Sequence, residues 1–385
     1  MAESEDDWIR LADPDIGAGE MHAVLAALRS SRLSMGPEVE KFEAAFAEYV
    51  GRTYAIAVSS GTAALLAVLR ALGIGPGDEV IASPYSWHQI AHAIALCGAT
   101  PVFADIDYWS GTLPADKVAA KIGARTKAVM AGNTNGHPAQ WQALRQLAAA
   151  RKLALIEDST EAIGSVYLGR LVGSFGDLSI FDFSQPSALA CGEGGMILTD
   201  DPVLDSELRY LRSHGIGDRL SVSVGSRLPA QANMSDLAAA LGLAQLERID
   251  EILAKRKAVE SYYLKHLQSF EGIKPPYLGP DVDEVHWLLY LVHLGTRFSR
   301  SSRNQIIEDL EQEKVEVAAY SNPLHQQYFY SRLGYARGNF LVTEKISDRS
   351  LALPFHGGLG DDEVEFIVST AKESSINVGA GAAIY

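Results

Sequence analysis

The sequence predicts an α/β fold: a large domain built on a mostly parallel sheet flanked by helices, followed by a smaller α+β domain. Two observations carry this. Short apolar runs at 55–58, 80–81, 102–105, 128–130 and 153–158 alternate with stretches of helical periodicity, and strands separated by helices pair in parallel. A chain of 385 residues also exceeds what a single hydrophobic core usually organises, so we expect a large domain over 1–245 and a small one over 246–385.

Composition narrows the partners. Hydrophobic residues make up 47% and charged residues 21%, an ordinary globular balance. The net charge of −15 works against nucleic-acid and anionic-membrane partners, which need clustered Lys and Arg; a small-molecule partner is expected instead. Two cysteines, Cys97 and Cys191, give no disulfide framework and suit a reducing cytoplasm. The acidic start lacks the apolar core of a signal peptide, and no run approaches the roughly 18 apolar residues of a membrane span.

Taken in order, helices are expected over 19–30, where Met21, Val24, Leu25 and Leu28 recur at helical spacing, and over 37–50 through Val39, Phe42, Phe46 and Val50. The run at 55–58 leads into Ser59-Ser60-Gly61-Thr62-Ala63-Ala64-Leu65. A helix starting there would offer free N–H groups and a favourable dipole to an anion, although the same residues also make a plain helix cap. The run at 153–158 ends in Glu157-Asp158, carboxylates at a strand's carboxyl end, where such folds place active groups. A helical pattern from 234 to about 257 crosses between the domains, a strand follows at 286–294 and a helix at 303–312, and the small-residue tail at 376–385 is expected to fray.

Ser34-Met35-Gly36-Pro37, Ser60-Gly61-Thr62, Gly77-Asp78-Glu79-Val80, Glu157-Asp158, Gly192-Glu193-Gly194-Gly195, Met234-Ser235-Asp236-Leu237 and Leu351-Ala352-Leu353-Pro354 occur in that order along the chain. This ordered set resembles the DegT/StrS-like sugar aminotransferase family of fold type I pyridoxal-phosphate enzymes. The resemblance implies a fold type I aminotransferase, a homodimer with two active sites across its interface, and work on amino sugars, aminocyclitols or antibiotic precursors. It assigns Asp158 to the carboxylate that keeps the cofactor's pyridinium nitrogen protonated, Gly61 and Thr62 to the phosphate turn, and Trp87 to the aromatic on the ring face.

The departures cluster on the cofactor. In Phe181-Asp182-Phe183-Ser184-Gln185-Pro186-Ser187 the family's Schiff-base lysine position falls on Ser187, and no lysine occurs between Lys152 and Lys255. A hydroxyl forms no imine, so ordinary transamination is expected to be lost or very slow. Asp182 stands where the family has a phosphate-binding serine, a like-charge neighbour for a phosphate. Glu161 replaces a Gln or His near the ring hydroxyl, and Gln231 and Asn233 replace an Asn and an Arg that reach the neighbouring subunit's cofactor.

From this we expect no covalently bound cofactor, with pyridoxal or pyridoxamine phosphate held noncovalently if at all. Asp158, Glu161 and Asp182 are expected to line an acidic pocket for an amine-bearing or polyhydroxyl ligand, two of them serving as acid and base; drift in a dead site is the plain alternative. His88 is the nearest other base, or else an ordinary core or surface residue. Cys191 is read as an inert buried thiol. Three readings of function stay open: a repurposed, non-transaminating enzyme of amino-sugar or natural-product biosynthesis, a pyridoxamine-phosphate enzyme of dehydratase type, and a non-catalytic partner of an active paralogue.

Overall fold

The structure, a computed structural model, describes residues 7–213, 228–268 and 270–382. Helices α1 (Ala18–Leu28) and α2 (Pro37–Val50) form where the apolar spacing places them. The buried Asp236 carboxylate accepts hydrogen bonds from the backbone N–H of Gly36 at 2.7 Å and Glu38 at 2.9 Å. A remote acid thus satisfies the free donors where α2 begins.

Strands β1 (Tyr54–Val58), β2 (Glu79–Ala82), β3 (Thr100–Phe103), β4 (Thr126–Gly132) and β5 (Ala154–Asp158) are followed by a short hairpin of β6 (Val166–Tyr167) and β7 (Arg170–Leu171), then β8 (Leu178–Asp182) and β9 (Gly195–Thr199). Seven of them form one sheet in the order β1-β9-β8-β5-β4-β2-β3. β9 runs antiparallel to both neighbours, and every other pair is parallel. Every strand of this sheet except β9 therefore points its carboxyl end the same way.

Both faces of the sheet are covered, which is why its strands read as continuous apolar runs. Helices α3 (Gly61–Ala71) and α4 (Gln89–Leu96) pack on one face against Ile56, Val58, Ile156, Leu178 and Ile180. On the other face, Phe42 and Phe46 of α2 meet Phe181 and Phe183, with the Phe46 ring 5.0 Å from Phe181 and 5.3 Å from Phe183. The stretch carrying Asp182 is thus clamped by aromatic residues on both of its flanks.

A second, antiparallel sheet takes β10 (Ile273–Lys274), β12 (Tyr290–Leu294), β14 (Ser350–Leu353) and β13 (Ala318–Ala319) in that order, while β11 (Val282–Glu284) joins the β6–β7 hairpin. Its core gathers Tyr263, Tyr290, Val292, Leu351 and Phe355. The chain's start also comes here, since Ile9 pairs with Val315.

Several expectations need correcting. The pattern from 234 to 257 is two helices, Asp236–Glu247 and Ile249–Leu267, because Arg248 leaves helical geometry (φ −109°, ψ 10°) and forms ion pairs with Asp15, Glu20 and Glu251. The strand expected at 286–294 begins at Tyr290: the backbone N–H of His286 donates to the Ser165 hydroxyl, and those of Leu288 and Leu289 donate to Asn135 instead of to a strand. The helix expected at 303–312 starts earlier, at Arg300, capped by the Ser299 hydroxyl. The tail does not fray from 376: helix Asp361–Ala382 carries through it, anchored by buried Val364, Ile367, Val368 and Ala371, and residues 383–385 lie outside the described residues.

Phe46→Ala should cost about 3–5 kcal/mol, the range for a buried aromatic emptied from a core. Denaturant unfolding measures it, and a loss below about 1 kcal/mol would show that the aromatic clamp on the 181–183 stretch does not hold it.

Candidate active site

Alternation along β5 and β8 decides which side chains meet. Ile156, Leu178 and Ile180 face α3, so Asp158 and Asp182, two residues further along each strand, face that side too. Glu157 turns to the opposite face. There its carboxylate accepts from the backbone of Gly173, Phe175 and Gly176, from the Asn133 amide and from the hydroxyls of Ser159 and Ser179. Of the adjacent Glu157-Asp158 pair, one is wholly engaged in structure and the other is left for the site.

Asp182 is 2% exposed and lies on the amino end of α3. Its Oδ2 accepts from the Gly61 N–H at 2.7 Å and from the Gln89 amide at 3.4 Å, and its Oδ1 accepts from the Ser184 N–H at 2.7 Å and the Ser184 hydroxyl at 2.5 Å. Gly61 permits this approach, since a Cβ there would lie 2.6 Å from Oδ2. The helix is capped a second time by the Ser60 hydroxyl, which accepts from Ala63 N–H at 3.2 Å. Gly195, paired with Asp182 in the sheet, also lacks room for a Cβ, which would lie 2.6 Å from the Ser60 carbonyl carbon.

Asp158 is buried, and burial is the main cause that pushes its carboxyl up to about 6, with Asp182 and Glu157 adding repulsion against the Thr160 hydrogen bonds. Glu161, also buried, is pushed up to about 7 by loss of solvent, against hydrogen bonds from the Tyr320 hydroxyl at 2.6 Å and the Asn135 N–H at 2.5 Å, both to Oε2. Its Oε1 has no partner among the described residues. Tyr320 itself is raised well above the ordinary phenol value by burial and by Glu161.

The cleft at this end of the sheet, about 360 Å³, is lined by Trp87, His88, Pro186, Tyr320, Ser321 and Asn322 among others. Buried Trp87 Nε1, Gln89 Oε1, Ser321 Oγ and both amide atoms of Asn233 have no partner among the described residues, the pattern of polar groups that await a ligand or water. A larger cleft of about 900 Å³ lies at the opposite end, against the start of β5. Its Arg52, Arg145 and Arg170 are tied to backbone carbonyls between 174 and 177, and none of the residues singled out by the sequence lines it.

Trp87 and His88 therefore share the cleft with Tyr320, the His88 ring stacked on Trp87 at 5.4 Å with its residue exposed. Ser187 is half-buried, and its Oγ accepts from the Leu189 N–H at 3.2 Å. Gln231 is solvent-exposed and lines no cleft described above, and Thr62 is half-buried at the start of α3. Cys191 is buried, its thiol pushed up to about 12 by loss of solvent and donating to the Glu193 carbonyl at 3.5 Å, which makes it inert as a nucleophile. Sequence reasoning missed Tyr320, Asn135 and Gln89, which come from loops and helix ends far from Glu161 and Asp182 in the chain and carry no local signal.

Residues 14–372 match the DegT/DnrJ/EryC1/StrS aminotransferase family. The chain belongs to that family. Over nearly its full length it is 34% identical to the spore coat polysaccharide biosynthesis protein SpsC of Bacillus subtilis (97% of this chain, 98% of that one) and 35% identical to the GDP-perosamine synthase of Caulobacter vibrioides (95% and 98%). Among solved structures it superposes on the PMP-form of the putative sugar aminotransferase Spr1654 of Streptococcus pneumoniae at a TM-score of 0.92 (27% identity; 98% of this chain, 100% of that one). It also superposes on the aminotransferase TlmJ of Streptoalloteichus hindustanus at 0.87 (31% identity; 98% and 100%). The fold is thus that of the fold type I aminotransferases.

The family's cofactor is pyridoxal or pyridoxamine phosphate, and the residues here do not fit it. None of the described lysines lines the cleft at Tyr320, and the Gly61 N–H that a phosphate would use already serves Asp182.

Because Asp158 and Glu161 both titrate above their ordinary values of 3.8 and 4.5, the folded protein keeps protons that the unfolded chain has released, and stability falls as pH rises from about 4 to about 7. Asp158→Asn/Glu161→Gln should flatten that fall, with the double variant's Tm less dependent on pH than the wild type's in thermal melts at pH 5 and pH 8. An unchanged difference would show that neither carboxyl is held above its ordinary range.

Proposed function

We propose that this chain is a non-transaminating member of its family that acts on a polar, amine-bearing or polyhydroxyl small molecule in amino-sugar, aminocyclitol or antibiotic biosynthesis. The observation that carries the reading is a pair of buried carboxyl groups, Asp158 and Glu161, raised to about 6 and 7, at a place where the family's lysine is absent. A carboxyl that titrates near neutrality can both give and take a proton. Glu161 is the better placed of the two: Tyr320 and Asn135 hold one oxygen and fix the group's direction, and the other oxygen, buried, has no partner among the described residues and is the atom we assign to a substrate hydroxyl or ammonium. Asp158 supplies a second negative charge, which favours a cationic ligand in a low-dielectric site. Trp87 offers an apolar face and an N–H without a partner among the described residues, the combination that suits a sugar or cyclitol ring.

A homodimer accords with this reading. Met21, Leu25 and Leu28 of α1 are each more than half exposed, and large apolar side chains so placed on one helix commonly meet a partner. The pyridoxamine-phosphate reading draws support from the retained Asp158 alone.

Calorimetric titration with a panel of aminated and neutral sugars and cyclitols tests the proposal. An aminated ligand should bind the wild type, and Glu161→Gln should weaken it at least tenfold, the loss of one charge-assisted hydrogen bond; equal affinity in both proteins sinks the proposal. Pyridoxal phosphate added to the wild type should leave no imine absorbance.

A further inference from the structure

We propose that Asp182 is a built-in anion that fills the phosphate position at the amino end of α3, and that this one side chain excludes phosphorylated ligands from the site. The inference deepens the reading above, because it gives the reason a member of this family would work without its cofactor, but it stands on separate observations.

A relic carboxylate left by drift would be expected to lack partners or to turn to solvent. Asp182 does neither. Four donors on three segments converge on it: Gly61 at the start of α3, Gln89 at the start of α4, and the backbone and hydroxyl of Ser184. Its two oxygens divide these donors evenly, and the group is 2% exposed. The helix dipole favours a negative charge here whatever its source, and an intramolecular carboxylate has the advantage that no ligand entropy is lost on filling the place. Gly61 and Asp182 are mutually fitted, since any side chain at 61 would occupy the carboxylate's position. In the same way a second buried Asp, Asp236 from a remote segment, satisfies the free N–H groups at the start of α2. A phosphate brought to α3 would lose the Gly61 N–H and meet a fixed like charge at close range in a poorly solvated place.

The test is equilibrium binding of pyridoxamine phosphate, with unphosphorylated pyridoxamine and inorganic phosphate as companions, to the full-length wild type, Asp182→Ser and Asp182→Asn. The wild type should bind neither phosphorylated probe at millimolar concentration. Asp182→Ser should bind pyridoxamine phosphate at least about 100-fold tighter than the wild type, Asp182→Asn should gain part of this, and pyridoxamine binding should not change. Phosphate should raise the Tm of both variants and leave that of the wild type alone. Asp182→Asn keeps the side chain's shape, so it reports even if the serine variant is unstable. Wild-type binding as tight as that of the variants, or no gain in either variant, overturns the proposal. The readout is independent of Glu161: affinity for an aminated sugar can fail in the calorimetric panel while the Asp182 result holds, and the reverse.

Discussion

A sheet covered on both faces can present polar chemistry only where its strands end. That constraint organises this protein. Because β9 alone runs against the others, the carboxyl ends of β1, β2, β4, β5 and β8 lie along one edge, and the loops that follow them carry Ser60, Trp87, Asn135, Glu161 and Ser184. The pleat then sorts the side chains: Asp158 and Asp182 share the α3 side through the alternation that buries Ile156 and Ile180 there, while Glu157 goes to the far face and spends its hydrogen bonds on a loop. Two adjacent carboxylates acquire different roles from a single step in register.

Electrostatically the site is unusual for what it lacks. Three buried carboxyl groups, Asp158, Glu161 and Asp182, have no lysine or arginine as a hydrogen-bond partner among the described residues, and each deals with its charge differently. Asp182 is stabilised by backbone and side-chain donors and a helix terminus. Asp158 and Glu161 hold their protons more tightly instead, because loss of solvent penalises the ionised form more than the local hydrogen bonds support it.

The second sheet matters to the site through one contact line. Tyr320, beside β13, reaches Glu161, and the backbone of Leu288 and Leu289, just before β12, binds Asn135. The loop holding Asn135 is therefore fixed from the small-sheet side, and the same residue donates to Glu161. Orientation of the Glu161 oxygen that lacks a partner among the described residues depends on Tyr320, 159 positions away in the chain.

The sequence by itself determined the fold, through strands that are continuously apolar because both faces are buried and helices whose apolar spacing follows the helical turn. It also shows that no lysine lies between Lys152 and Lys255, a fact that needs no structure. The partners of the acids were not legible. Gly61 and Asp182 are 121 residues apart and Glu161 and Tyr320 are 159 apart, and no local pattern connects such pairs. Nor could the helix pattern at 234–257 disclose its break, since Arg248 leaves the helix in response to Asp15 and Glu20, which fold back from the start of the chain. Tertiary structure alone decided that Asp182 sits on a helix terminus, fully bonded, and that Asp158 and Glu161 are the acids left raised. The reason is physical: a carboxyl group's state is set by which donors surround it and how much water reaches it, and both are properties of the assembled fold.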